Sequence, residues 1–408
     1  MNLISILMLF DNYTIFIYIL IFVIIYNVAK LISKSIIIRN ILILAGNLLI
    51  LLTLVKEHTL IVLAILSLLV FIGGKALQVK NSKMLLFFVL SVILILFSIR
   101  NYPYLQESLS NGVLSFINAP ILSVQKLGLS YMLFRFVHYL VESYKNKIHK
   151  PNFITFLNYI FFFPSIIAGP IDTYNNFQYW LANTRGTYDR KLFFAGITRI
   201  FIGSFKVIGI VPFIILYASD YTSLLSSFSP LIAIFISLLA YSAYIYLDFS
   251  GYSDIAIGSA YLIGIKTPEN FNNPYISMSL SEFWKRWHIT FSLFLKLYVF
   301  KPFIQLFNNL INPKYRLLVT ILSYITTFII CGIWHGNQIN FVYWGLWHGV
   351  GLALNKIWTT KIKSKIPFSN TSVYRIASIT LTFIYVTIGW VFFNYTEIEL
   401  IELYKLLI

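Results

Sequence analysis

The sequence predicts an all-α polytopic membrane protein, and three observations carry that reading. Hydrophobic residues make up 59% and aromatic residues 18% of 408 residues, more apolar surface than one soluble core of this length can bury. The apolar residues fall in long runs separated by short polar links. Lys and Arg total 31 against 14 Asp and Glu, a formal charge of +17, and the basic residues cluster in those links. That placement follows the positive-inside rule of membrane proteins and excludes a nucleic-acid face, which would gather charge along one polar surface. One cysteine, Cys331, excludes an internal disulfide. Met1 to Phe10 has no basic stretch and no small-residue cleavage site, so no removable signal peptide is expected.

Tyr13 to Val28, Ile41 to Val55, Leu60 to Ile72 and Met84 to Ser98 read as four spanning helices. Several of these runs are shorter than the roughly 20 residues a bilayer requires. Either the helices extend into their flanks or the bilayer thins around them. Lys30, Lys34 and Arg39, then Lys75, Lys80 and Lys83, lie two spans apart with Lys56 and Glu57 between them. Both basic links are therefore expected on the cytoplasmic side, with the N-terminus and residues 100–111 outside. Lys145, Lys147, His149 and Lys150 come next on the inside, so Val113 to Val141 must cross. Pro120, Gly128 and Arg135 interrupt that crossing and predict a broken or re-entrant passage.

Phe153 to Ala168 is the next apolar run, ending in Gly169-Pro170-Ile171-Asp172, a turn signal with a carboxylate at the membrane edge. Residues 175–191 read as a surface loop or interfacial helix. Phe193 to Tyr217 carries Arg199 and Lys206 inside an apolar run, either snorkelling or facing an interior path. Leu231 to Leu247 is a span, after which Asp248, Ser250, Gly251, Ser253 and Asp254 place two carboxylates at an expected helix end. Buried there without partners, each carboxylate costs several kcal/mol, about what unpaired buried charges cost elsewhere, so donors are required close by. Ile255 to Ile265 continues as helix, and two prolines with several asparagines fix the loop from Pro268 to Tyr275.

Ser279 and Glu282 have capping-box spacing, which predicts a helix starting near Ser279. At i, i+3 and i+4 spacing Trp284, Trp287, His288 and Phe291 share one face of that helix. Two readings stand: an interfacial aromatic belt with Lys285 and Arg286 as headgroup anchors, or the wall of a pocket. Leu317 to Ile330 leads into Cys331 and Trp334-His335-Gly336, and Phe341 to Leu354 carries Trp347-His348-Gly349. An imidazole at membrane depth is a functional candidate, since it is carried neutral and still exchanges a proton near neutral pH. The alternative is a hydrogen-bonded core histidine. Lys356, Lys361, Lys363 and Lys365 form the clearest cytoplasmic cluster, and Ile376 to Phe393 is the final span. Ten to twelve membrane helices and no soluble domain are expected.

The chemistry these residues offer is limited. Cys331 sits one helical turn from His335 but is expected to be an inert buried thiol. Two imidazoles without a carboxylate or thiolate set make a poor metal site, so no metal and no bound cofactor is expected. One neutral histidine suffices as a general base for acyl transfer from a thioester to a hydroxyl, and a water-poor passage protects that thioester from hydrolysis.

Six stretches, in order, resemble the membrane-bound O-acyltransferases: Leu127 to Tyr131, Ala168 to Asp172, Leu247 to Asp254, Pro268 to Tyr275, Glu282 to His288, and Ile333 to Gly336. Within that family they are similar to the bacterial branch of alginate O-acetylases and teichoic-acid D-alanyl transfer proteins. The resemblance implies one integral membrane domain over 1–408, with peripheral helices (1–126), a catalytic region (127–354) and a C-terminal helical segment (371–408). It implies a ring of tilted helices around a thin centre crossed by a tunnel. His335 maps onto the family's catalytic histidine and His288 onto a second one. Asp248, Asn270, Trp284, Trp287, Trp334 and His348 are expected to bind substrate around them. The co-substrate implied is an acyl thioester, either acyl-CoA or a phosphopantetheinyl carrier protein, on the cytoplasmic side of the cell membrane. The acceptor is an extracytoplasmic polysaccharide or a partner acyltransferase. Phe134-Arg135 and Gly169 to Asp172 are similar to the D-alanyl proteins, Phe249 to Gly258 and Pro268 to Asn272 to the acetylases. A transporter with histidines in a proton relay is the reading from another class.

Overall fold

The computed structural model describes residues 13–33, 35–54, 57–101, 129–183, 189–218, 221–367 and 371–407. The outer loop expected over 100–111, the start of the broken passage with Pro120 and Gly128, the N-terminal reading, Lys34 and Lys56 lie outside those residues, apart from Arg100 and Asn101. Every regular element among the described residues is helical, as expected. Among the described residues, seven helices are long and apolar enough to cross a membrane, and three shorter apolar helices accompany them. Leu31, Ile32, Phe87, Phe201 and Phe213 turn large apolar side chains outward. Such a surface is stable only against lipid.

The chain forms two compact units. One comprises Asn2–Gly203 and Tyr252–Pro268. Its helices α1 (Tyr13–Ile32), α2 (Ile36–Leu54), α3 (Glu57–Lys80) and α4 (Lys83–Asn101) are 20, 19, 24 and 19 residues long. The short apolar runs are therefore lengthened through their polar flanks. Helix α5 (Leu129–Tyr144) carries Arg135. Helix α6 (Phe153–Ile160) stops after 8 residues, so the run expected to Ala168 is interrupted. The cause is competition for its last carbonyls. Arg135 Nη1 donates to the oxygens of Tyr159 and Ile160 at 2.9 and 2.7 Å. Its Nη2 donates to the Ser165 carbonyl and hydroxyl at 2.9 and 2.7 Å. Asn47 Oδ1 accepts from the Phe163 amide at 2.9 Å. A planar fork with donors in fixed directions suits this cluster of acceptors.

Helix α7 (Tyr174–Asn183) shows that the polar stretch after Asp172 begins as a helix. Helix α8 (Arg190–Ser204) runs through a π-helical turn, Phe205–Ile210, into α9 (Val211–Ala218). A second π turn, Lys296–Phe300, also precedes a proline. Pro212 and Pro302 cannot donate to the turn before them, which favours this local widening. Arg199 does not simply snorkel: its Nη1 lies 3.3 Å from Asp254 Oδ1. Lys206 Nζ, in the other unit, donates to Ser250 Oγ at 3.3 Å.

The second unit comprises Ser204–Gly251 and Glu269–Ile408. Helix α10 (Pro230–Leu262) is one element of 33 residues, which corrects the helix end expected at Asp248. Small residues alone do not stop a helix when no proline interrupts it, and Ser250 and Asp254 find partners along it. Helix α11 (Leu280–Arg286) starts as predicted. Ser279 Oγ accepts from the Glu282 amide at 3.2 Å, and Glu282 Oε2 accepts from the Met278 amide at 2.9 Å. It ends early, however, because Trp287 is extended and His288 is left-handed, with φ 42° and ψ 56°. The shared helical face for Trp284, Trp287, His288 and Phe291 is therefore corrected to two short helices meeting at a corner. After that corner come α12 (Ile289–Leu295), α13 (Lys301–Leu310), α14 (Arg316–His335), α15 (Ile339–Ile357), α16 (Ser372–Asn394) and α17 (Glu397–Leu407).

Candidate active site

Helices α14 and α15 make a close pair because glycines remove the side chains between them. A Cβ on Gly332 would be driven into the Phe341 carbonyl, and one on Gly345 into the Phe328 carbonyl. Gly345 and Gly349 repeat at the spacing that brings membrane helices together. The pairing puts His335, the last residue of α14, beside Trp344 of α15, with ring centroids 4.9 Å apart at 86°. Trp334 stands 4.6 Å and Phe393 5.0 Å from the same imidazole. The His335 ring thus sits half-buried in an aromatic setting, at the end of a helix whose next residue, Gly336, is fully extended.

His288 reaches this group from the corner between α11 and α12. Its ring packs 4.9 Å from Phe291, and Phe291 lies 4.8 Å from Trp334 and 6.5 Å from His335. Phe249 of α10 closes on His288 at 4.7 Å. His288 Nδ1 and Asn270 Oδ1 are 3.0 Å apart. Burial pushes the His288 pKa down to about 3, so its ring is neutral near neutral pH. A left-handed non-glycine residue costs on the order of 1 kcal/mol and marks sites where the surroundings impose geometry. Here Ile289 donates its amide to the Asn270 carbonyl at 2.8 Å, and Ser292 Oγ donates to the Trp287 carbonyl at 3.1 Å.

The remaining expected residues divide into two groups. Trp284 and Trp344 flank His348 at 5.1 and 5.0 Å. His348 is fully buried, and among the described residues neither ring nitrogen has a hydrogen-bond partner. The absence of a side chain at Gly389 makes room for its Nε2. Trp287 stacks with Phe283 at 5.6 Å and meets Trp390 at 5.2 Å. Asp248 is fully buried on α10, and among the described residues neither carboxyl oxygen has a hydrogen-bond partner. Among the described residues no donor meets it of the kind its burial was expected to require. Asp254 has one in Arg199.

Sequence reasoning missed what α16 contributes. Phe393 touches His335, Trp390 stands 6.4 Å from Trp344, and Tyr385 donates its hydroxyl to the Trp347 carbonyl at 2.7 Å. Nothing in Ile376 to Phe393 separates these rings from lipid-facing ones; only Gly389, beside Trp390, interrupts the pattern. Thr290, which shares Asn270 with His288, was also unmarked.

The model of the membrane-bound O-acyltransferase family matches residues 41–398, which include all eight expected site residues. The chain is 32% identical over 269 residues to a probable alginate O-acetylase of Pseudomonas syringae, covering 66% of this chain and 48% of that protein. It is 30% identical over 316 residues to a teichoic acid D-alanyltransferase of Bacillus subtilis, covering 75% and 76%. A peptidoglycan O-acetyltransferase of Helicobacter pylori is 29% identical over 302 residues, covering 67% and 54%. The chain spans about half the length of the alginate O-acetylases it matches.

Proposed function

The chain belongs to the membrane-bound O-acyltransferase family, and from that premise we propose that it moves a small acyl group, acetyl or similar, onto a hydroxyl of a cell-envelope polysaccharide. The donor is a thioester presented on the cytoplasmic side of the cell membrane, acyl-CoA or a phosphopantetheinyl carrier. His335 acts as general base: it takes the hydroxyl proton as the oxygen attacks the thioester carbonyl. The C–S bond breaks and the proton passes to the departing thiolate. The acceptor is the polysaccharide itself or a partner acyltransferase that hands the group on. His288 is the second acid–base group, and Trp284, Trp287, Trp334, His348, Asn270 and Asp248 shape the site.

The observation that carries this reading is the enclosure of the His335 ring by Trp334, Trp344 and Phe393 at 4.6 to 5.0 Å. Apolar walls disfavour the charged imidazolium, so the ring rests as the neutral base with a nitrogen able to accept a proton, and they keep water scarce, which suits thioester chemistry. The His335→Ala protein, inserted and folded at wild-type level, is expected to leave the envelope without ester-linked acyl groups. Ester content near wild type would remove the mechanism.

A second reading, D-alanyl transfer from a phosphopantetheinyl carrier toward teichoic acid, is favoured by the Bacillus subtilis relative, which the chain covers over 76% of its length. Exposed Lys361, Lys363 and Lys365 offer a surface for an acidic carrier. Mild-base release followed by mass spectrometry separates alanine from acetate. The transporter reading is weaker. A relay between His335 and His348 would have to pass the Trp344 ring between them, and an indole only donates.

A further inference from the structure

Asn270 Oδ1 is the convergence point of three groups. The Thr290 amide lies 3.4 Å from it, the Thr290 hydroxyl 2.9 Å, and His288 Nδ1 3.0 Å. A backbone amide only donates, which fixes the atom it meets as the amide oxygen and not the nitrogen. An amide oxygen only accepts, so His288 Nδ1 must carry a hydrogen. We infer that Asn270 is a positioning residue that locks His288 in the Nδ1–H tautomer and leaves Nε2 as the ring's proton-accepting nitrogen.

The backbone supports the same assignment. Asn270 also accepts the Ile289 amide through its carbonyl at 2.8 Å, and Asn272 donates its amide to the Arg286 carbonyl at 3.0 Å. The loop before Tyr275 is therefore fastened on both sides of the left-handed His288. A rotation of the imidazole would break the Asn270 contact. The groups packed on the ring, Phe249 and Phe291, are not ionisable. Beyond Phe291 stands the titratable ring of His335, 6.5 Å from Phe291. Of the cations close in sequence, Arg286 is paired with Glu282 at 2.8 Å and Lys285 is exposed.

The inference rests on the reading of His288 as part of the acyl-transfer site, and it makes that role specific. In this tautomer His288 accepts, through Nε2, a hydrogen bond or proton from a substrate hydroxyl or a leaving thiol. It does not donate to the thioester carbonyl while neutral. Asn270 acts on the reaction through His288, by fixing which ring nitrogen carries the hydrogen.

The test is nitrogen NMR of the full-length protein labelled with 15N-histidine in detergent micelles at neutral pH. The resonance pair lost in His288→Gln identifies this ring among six histidines. The wild-type pair is expected to show a protonated Nδ1 and a bare Nε2. Asn270→Leu is expected to lose that preference. Asn270→Asp is expected to keep it and to move the titration of His288 upward by about 1–2 pH units, the effect of a carboxylate at hydrogen-bond distance. A wild-type Nε2–H ring, or an Asn270→Asp protein whose His288 titrates unchanged, overturns the inference. If Asn270→Leu does not fold, wild type and Asn270→Asp still decide it. Should the tautomer be as stated while His288→Gln leaves envelope ester content intact, the catalytic reading of His288 fails and the positioning by Asn270 stands.

Discussion

Gly345 of α15 approaches Phe328 of α14 so closely that a single added methyl group would meet the Phe328 carbonyl oxygen. The obstacle is backbone, which cannot swing aside as a side chain can. Gly345→Ala must therefore push the two helices apart, at a cost of about 1–3 kcal/mol for overpacking of this kind. The same displacement moves Trp344 relative to His335, which sit on the two helices. Thermal unfolding in detergent should register a lower midpoint and the envelope ester content should fall. An unchanged midpoint would mean that the helix pair is looser than described.

Arg135 donates to three carbonyls and one hydroxyl from a position that is 1% exposed. Arg135→Lys keeps the charge but replaces the planar fork with a point donor on a flexible stem. Stability should drop by about 2–4 kcal/mol, since buried acceptors lose their donors. Equal stability of the lysine variant would show that charge alone serves there.

Asp172 supplies a pH dependence. Its carboxyl accepts from the Thr173 amide at 2.7 Å and from Asn176 Nδ2 at 2.9 and 3.0 Å, yet burial outweighs these bonds and pushes its pKa up to about 7. The folded protein therefore holds the proton more tightly than the unfolded chain, whose carboxyl titrates near 4. The stabilisation is complete below that pH and is lost as pH rises toward 7, then stays flat. Wild type should unfold at a lower temperature at pH 7.5 than at pH 5, and Asp172→Asn should lose that difference. A slope that survives in the asparagine variant belongs to another group.

Ser279 holds the start of α11, the helix that delivers Trp284 and the His288 corner. Ser279→Ala removes the acceptor of the Glu282 amide and should cost about 1 kcal/mol, a normal value for an N-cap. Ser279→Thr, which keeps the hydroxyl, should recover most of it. Failure of threonine to do so would point to a steric rather than a capping role.

Much of this was legible in the sequence because the signals were local. Ser279 and Glu282 announced a helix start three residues apart, Cys331 and His335 one turn of a helix, and the apolar runs their membrane setting. The corner at Trp287–His288 was not legible. Its residues kept helical spacing, and its cause is Asn270, 18 positions earlier. The continuity of α10 through Asp248 to Asp254 was hidden in the same way, since the partners of Ser250 and Asp254 are Lys206 and Arg199. Lys206 and Arg199 lie 44 and 55 positions before the residues they meet, a separation that local pattern does not reveal.

The hydrogen bonds of Arg135 reach 24 to 30 residues ahead along the chain. During synthesis its guanidinium emerges before any of those acceptors exists, and each buried donor left unmet costs about 1–3 kcal/mol. Helix α5 can therefore bury Arg135 only once the segment through Ser165 has been made, which couples the folding of the two segments through one side chain.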